Sequence, residues 1–106
     1  MTEINNISQL PTTGKVVLAV IIGNRAPCRK FLGELGQAIG IVENPNNPAG
    51  GSYFSMQLSK EVNEFFQISQ FPCAIIMVDG IEKKRFSGHW TYHFEMANFI
   101  QEGFNK

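Results

Sequence analysis

Val16-Val17-Leu18-Ala19-Val20-Ile21-Ile22, followed by Gly23-Asn24-Arg25-Ala26-Pro27-Cys28-Arg29, is the stretch from which the architecture is read. Seven apolar residues, five of them β-branched, run without a polar break between Gly14-Lys15 and Gly23-Asn24. A strand with one wet face alternates apolar and polar residues; a continuous run has no wet face, so this is a central strand covered on both sides. Pro27 suits the first helical position, where its missing N–H costs nothing, and Phe31, Leu32, Leu35 and Ile39 then recur at helical spacing. A helix therefore follows the strand directly. Gly33 and Gly36 inside it each cost about 1 kcal/mol relative to alanine. The helix is expected to be held by packing, with close contact at the two glycines.

Working outward, Glu43 to Ser52 holds Asn-Pro, Asn-Asn-Pro and Gly-Gly, the densest group of breakers in the chain, and reads as an exposed loop. Tyr53-Phe54-Ser55-Met56-Gln57-Leu58 alternates in the strand period, and Ser59 can cap a short helix running through Phe66. Cys73-Ala74-Ile75-Ile76-Met77-Val78 is a second continuous apolar run, and Asp79-Gly80 is the favoured type I′ turn into a returning strand, Ile81 to Ser87. Lys83, Lys84 and Arg85 on that strand suit a solvated edge that must resist pairing with another chain. From Thr91 onward, Phe94, Ala97, Ile100 and Phe104 mark one face of a closing helix. The order is a parallel βαβ start and an antiparallel β-hairpin end, giving an α/β fold with a mixed central sheet and helices on both faces.

With 106 residues the chain is expected to form one domain, 1–106. Hydrophobic residues make up 43% and charged residues 17%, enough apolar surface to offset the cost of ordering. Nine basic and nine acidic residues cancel, which removes the broad positive field of a sequence-independent nucleic-acid binder. No stretch reaches the roughly 18 apolar residues of a membrane span, and Met1 to Asn6 has neither a basic nor an apolar leader region, so a cytoplasmic protein is expected. Cys28 and Cys73 are too few for a disulfide scaffold and too far apart for a paired metal knuckle. His89 and His93 have i, i+4 spacing, but no carboxylate or cysteine nearby completes a ligand set. Neither a metal nor a cofactor is expected.

Three segments in this order and spacing resemble the thioredoxin family, over about Ile7 to Phe104. Asn24-Arg25-Ala26-Pro27-Cys28-Arg29 after the first long strand is similar to the family's Trp-Cys-Gly-Pro-Cys-Lys, with the leading Trp and the first Cys replaced. Gln70-Phe71-Pro72-Cys73-Ala74-Ile75 is similar to the segment where an Ile-Pro-Thr sequence, with a cis-proline, enters the hairpin. Asp79-Gly80 with Gly88 eight residues on matches the spacing between the hairpin turn and the glycine before the last helix. The resemblance implies a thioredoxin-like fold. It also implies a degenerate CxxC: Arg25 stands at the nucleophilic cysteine, Cys28 at the resolving one, and Ala19 at a buried acid. Disulfide reduction in the family starts with thiolate attack from the first of these positions, and arginine cannot do that. An ordinary disulfide reductase is therefore not expected.

Two functions remain. In the first, the domain is a redox-inactive protein- or peptide-binding module, chaperone-like, that keeps the groove beside Pro72. Its binding residues would be Arg25, Ala26 and Pro27 at the helix start, Phe71 and Pro72, and His89 and Trp90 in the loop that borders the groove by resemblance. Arg25 with the free N–H groups of the helix start could also receive an acidic peptide or a phosphate. In the second, Cys28 serves as a monothiol or atypical redox site, since helix dipole and neighbouring arginines favour a thiolate. Cys73 would be its potential redox partner, if the Cα atoms approach within roughly 7 Å. Pro72 is either cis, as in the family, or simply the start of a strand. The first six residues leave open whether the family's first strand is present. A missing edge strand would offer a surface for a homodimer.

Overall fold

The computed structural model describes residues 1–88 and 91–106. Its strands are β1 (Thr2–Glu3), β2 (Lys15–Ile21), β3 (Ser52–Gln57), β4 (Cys73–Val78) and β5 (Ile81–Ser87), and its helices are α1 (Ala26–Val42), α2 (Lys60–Phe66) and α3 (His93–Phe104). They form one five-stranded sheet in the order β1-β3-β2-β4-β5. β1 and β2 run parallel to β3, and β4 runs antiparallel to β2 and β5. The mixed α/β sheet expected from the sequence is therefore the observed one, and the first strand is present as a two-residue edge.

β2 is central because both of its faces are apolar, and the two faces feed two separate cores. Val17 and Ala19 pack with Ala74 and Ile76 of β4 against α1 and α3, while Val16, Leu18 and Val20 pack with Cys73, Ile75 and Met77 against α2. The hairpin turn has positive φ at Asp79 (53°) and Gly80 (79°), the geometry of a type I′ turn. The Gly14 N–H donates to the Asp79 carboxylate, which fastens the turn to the chain entering β2. β5 is the sheet edge, but its basic residues are not merely solvated. Arg85 makes a two-point ion pair with Glu82 and donates to the Phe66 carbonyl at 2.9 Å, capping the C-terminus of α2, and Lys84 pairs with Glu102 at 2.8 Å.

Three sequence expectations need correction. α1 opens at Ala26 with Arg25 as its N-cap, so Pro27 holds the second helical position; the extended backbone of Arg25 (φ −76°, ψ 153°) sets the boundary one residue earlier. Gly33 and Gly36 are not sites of close contact, since a Cβ built on either meets nothing within 4 Å. Periodicity alone places a residue on a helix without saying what lies opposite. Phe94 is 59% exposed; the buried stripe of α3 is Met96, Ala97, Ile100, Gly103 and Phe104, about a third of a turn away at 3.6 residues per turn.

The breaker-rich loop between α1 and β3 is closed by one carboxylate. Glu43 accepts the Gly50 and Gly51 N–H groups, each at 2.9 Å, and the Tyr53 hydroxyl. Burial alone would raise the Glu43 carboxyl, but these three donors and nearby Lys15 outweigh it and hold the group below its ordinary value.

Candidate functional site

The register gathers three loops at one end of the sheet. Val20 lies opposite Cys73, and Cys73 opposite Ser87. The β2–α1 loop, the Phe71-Pro72 segment and the chain leaving β5 therefore emerge side by side. The Gly88 N–H donates to the Pro72 carbonyl at 3.2 Å, and the Phe71–Pro72 peptide bond is cis. Loops beyond the C-terminal end of a strand that feeds a helix are where open α/β sheets commonly bind ligands.

The residues singled out from the sequence divide here by accessibility. Arg25, Ala26 and Pro27 are exposed at the start of α1, whereas Phe71 is half-buried and packs against the core on the α2 side of the sheet. Pro72 is fully buried, so its ring underlies the surface instead of forming its wall. Proline identity marked the segment, but only the packing tells which side of it meets solvent. His89 and Trp90 lie outside the described residues. Arg29, one turn into α1, donates to the Asn24 carbonyl and braces the loop ahead of the helix.

Both thiols are free and buried. Cys28 is 4% exposed, and its Sγ donates to the Ile22 carbonyl at 3.6 Å. Cys73 faces the other way. Its side chain belongs to the α2 core with Val62, Phe66 and Ile68, whereas α1 packs on the opposite face of the sheet. The notion of Cys73 as partner to Cys28 is corrected by this alternation, since the residue that pairs beside Val20 points its Cβ away from α1. Burial pushes the Cys73 thiol up to about 11, with Arg85 opposing and Glu82 adding to the shift, so it is protonated at neutral pH. Ala19 is fully buried and packs with Ala74, leaving no acid at that position.

One constellation escaped the sequence reading. The Glu34 carboxylate on α1 accepts the His93 backbone N–H at 2.9 Å and lies 2.7 Å from His93 Nδ1. Tyr92, the N-cap of α3, makes no side-chain cap of its own, so Glu34 caps α3 from another helix. The available signal was a helix start lacking Ser, Thr, Asp or Asn next to its first residue. The contact fixes the end of the segment that begins at Gly88, where the Thr91 N–H bonds the Gly88 carbonyl and its hydroxyl bonds the Ser87 carbonyl, each at 3.2 Å. The side-chain bond to His93 holds the Glu34 carboxyl below its ordinary 4.5, against a smaller upward push from burial. A lowered folded-state pKa means stabilisation that is complete above 4.5 and is lost as pH falls through the folded value. The stability gap between the native chain and Glu34→Gln should therefore be widest near neutrality and narrow below pH 4.5 in urea titrations. A gap that does not change with pH would show that the carboxylate charge plays no part in the cap.

Two hollows open at this end, one of about 150 Å³ lined by Gln70, Cys73, Arg85 and Ser87 among others and one of about 200 Å³ lined by Ile4, Ile21 and Leu58 among others. Small-molecule sites need roughly 300 Å³ or more, so this end suits an extended chain laid across it better than an enclosed ligand. Among the described residues no group of three or more His, Cys, Asp or Glu is placed to hold a metal.

No protein-family model matches the chain, and no curated protein sequence matches it. Solved structures do. Mitochondrial thioredoxin 3 of Saccharomyces cerevisiae, in its oxidised form, superposes with a TM-score of 0.75 at 13% identity, over 96% of this chain and 94% of that one. Thioredoxin f from spinach chloroplast gives 0.71 at 14% identity over 96% and 91%. The thioredoxin of Fasciola hepatica gives 0.65 at 17% identity over 87% and 84%. At these identities the likeness is one of fold.

Proposed function

We propose that this thioredoxin-like domain is a protein- or peptide-binding module that keeps the surface at the start of α1 and runs no dithiol cycle. The observation that carries the reading is the exchange of positions at that helix start: an exposed arginine stands at the N-cap, and the one thiol of the first turn is buried and hydrogen-bonded to the Ile22 carbonyl. Thiol exchange needs an accessible thiolate. Cys73 adds none, being buried on the other face of the sheet with its thiol pushed up.

The surface favours an extended, acidic segment. Arg25, Arg29 and Lys30 are exposed on the first turns of α1, where the helix dipole adds to their charge. Arg25 presents its guanidinium fork to a carboxylate in the two-point geometry that lysine lacks.

Quantitative thiol labelling of the native chain, with mass mapping of each site, tests the reading. Both thiols should stay unlabelled at neutral pH until urea unfolds the domain, and Cys28→Ser should leave binding of an acidic peptide unchanged. Rapid native labelling of Cys28, or loss of binding in Cys28→Ser, would move the assignment to the monothiol redox reading.

A further inference from the structure

A second surface lies on the α2 side of the sheet, around Phe65. Single exposed apolar side chains are ordinary. Phe65 differs because it is 67% exposed and stands between two hollows. One, of about 130 Å³, is walled by Leu10, Pro11, Phe66 and Met77 and reaches Gly80 of the hairpin turn. The other is shallow and is bordered by Asn6, Ser8, Glu61 and Glu64. Ile7, in the 3-10 turn Ile7–Gln9, lines both.

The apolar hollow has the size that accepts one aliphatic or benzene-sized group. The shallow one carries two carboxylates with little neutralisation. Glu64 meets Lys60 only at 3.9 Å with both side chains largely in water, a contact worth little, and among the described residues no ion pair engages Glu61. An apolar slot beside two weakly neutralised carboxylates is complementary to a bulky aliphatic side chain next to a cation.

We propose that the Phe65 face is a docking surface for a protein segment in which leucine-like residues alternate with lysine or arginine. It is independent of the α1 surface. The apolar slot reaches Gly80, at the other end of β4 from Cys73, and is lined by Phe66 and Met77 of the α2-side core, so the surface lies on the face of the sheet away from α1 and carries the opposite charge.

The test uses two capped octapeptides, a Gly-Ser frame around Leu-Lys-Leu-Lys and the same frame around Leu-Glu-Leu-Glu, titrated into the isotope-labelled full chain and followed by amide shifts. The basic peptide should move Ile7, Leu10, Phe65 and Gly80, and the acidic one should leave them still. Phe65→Ala should weaken binding about tenfold or more, as for a central aromatic anchor. Glu61→Gln combined with Glu64→Gln should weaken it about threefold and remove its salt dependence. Thermal melts confirm that the variants fold. The proposal is overturned if neither peptide moves these amides, if both move them equally, or if the basic peptide perturbs Ala26 and Cys28 instead. It is equally overturned if light scattering finds a dimer that Phe65→Ala dissolves, since a second copy would then be the occupant.

Discussion

If the start of α1 runs no dithiol cycle as proposed, Arg25→Cys should give the chain the ability to reduce insulin in the presence of dithiothreitol, with the unsubstituted chain as the inactive control. The substitution puts a thiol on the exposed N-cap of a 17-residue helix, where the backbone is already extended and the dipole favours a thiolate. That thiolate would attack a substrate disulfide and release one substrate thiol. The buried Cys28 would then attack the mixed disulfide, release the second thiol and leave a bond between positions 25 and 28, which dithiothreitol reduces for the next turnover. Ala19 still provides no buried acid, so turnover should be about 10²-fold slower than at a site with acid–base assistance. Insulin turbidity and mass mapping of the oxidised variant read the two steps separately. If the variant oxidises without forming the 25–28 bond, position 25 is not where a nucleophile of this fold belongs, and the account of the helix start fails.

Gly103→Ala should lower stability, in contrast to alanine at Gly33 or Gly36. A Cβ at that position falls 2.6 Å from Ile76 Cγ2 and 3.0 Å from Ile76 Cβ, and Ile76 is fully buried in the sheet. Either α3 lifts from β4 or Ile76 leaves its rotamer, at a cost of about 1–3 kcal/mol. Gly33→Ala and Gly36→Ala place the same methyl group in open space on a helix and should each raise stability by about 1 kcal/mol. Urea midpoints of the three variants carry the test. If all three fall together, the outer face of α1 is not open, and the close approach of α3 to the sheet is not the special feature it is taken to be.

The same three glycines show where the sequence stops being legible. The succession of elements along the chain and the mixed character of the sheet followed from runs and turns: an unbroken apolar run names a central strand, and Asp79-Gly80 names a hairpin, because backbone and burial preferences act locally. What lies across from a given helical residue depends on partners far away in sequence. Gly33 and Gly36 were therefore expected at a contact that belongs to Gly103, and Phe94 in a core that belongs to Met96. At the candidate site, Arg25 and Cys28 were singled out because a resemblance to a known pattern, with one cysteine position changed and one kept, is visible in one line of sequence. The Glu34–His93 cap spans 59 residues and uses an unremarkable helical glutamate, and the burial of Pro72 depends on three loops meeting. Neither leaves a trace in spacing or composition.

The Glu43 clamp bears on how the domain opens. Backbone amides in a surface loop ordinarily meet water whenever the loop moves, independently of the elements it joins. Here the Gly50 and Gly51 amides are bonded to a carboxylate at the end of α1 that also holds the Tyr53 hydroxyl of β3. Their protection is thereby tied to the helix–strand crossover as a whole, and a stretch rich in proline, asparagine and glycine joins the same cooperative folding unit as the central strand.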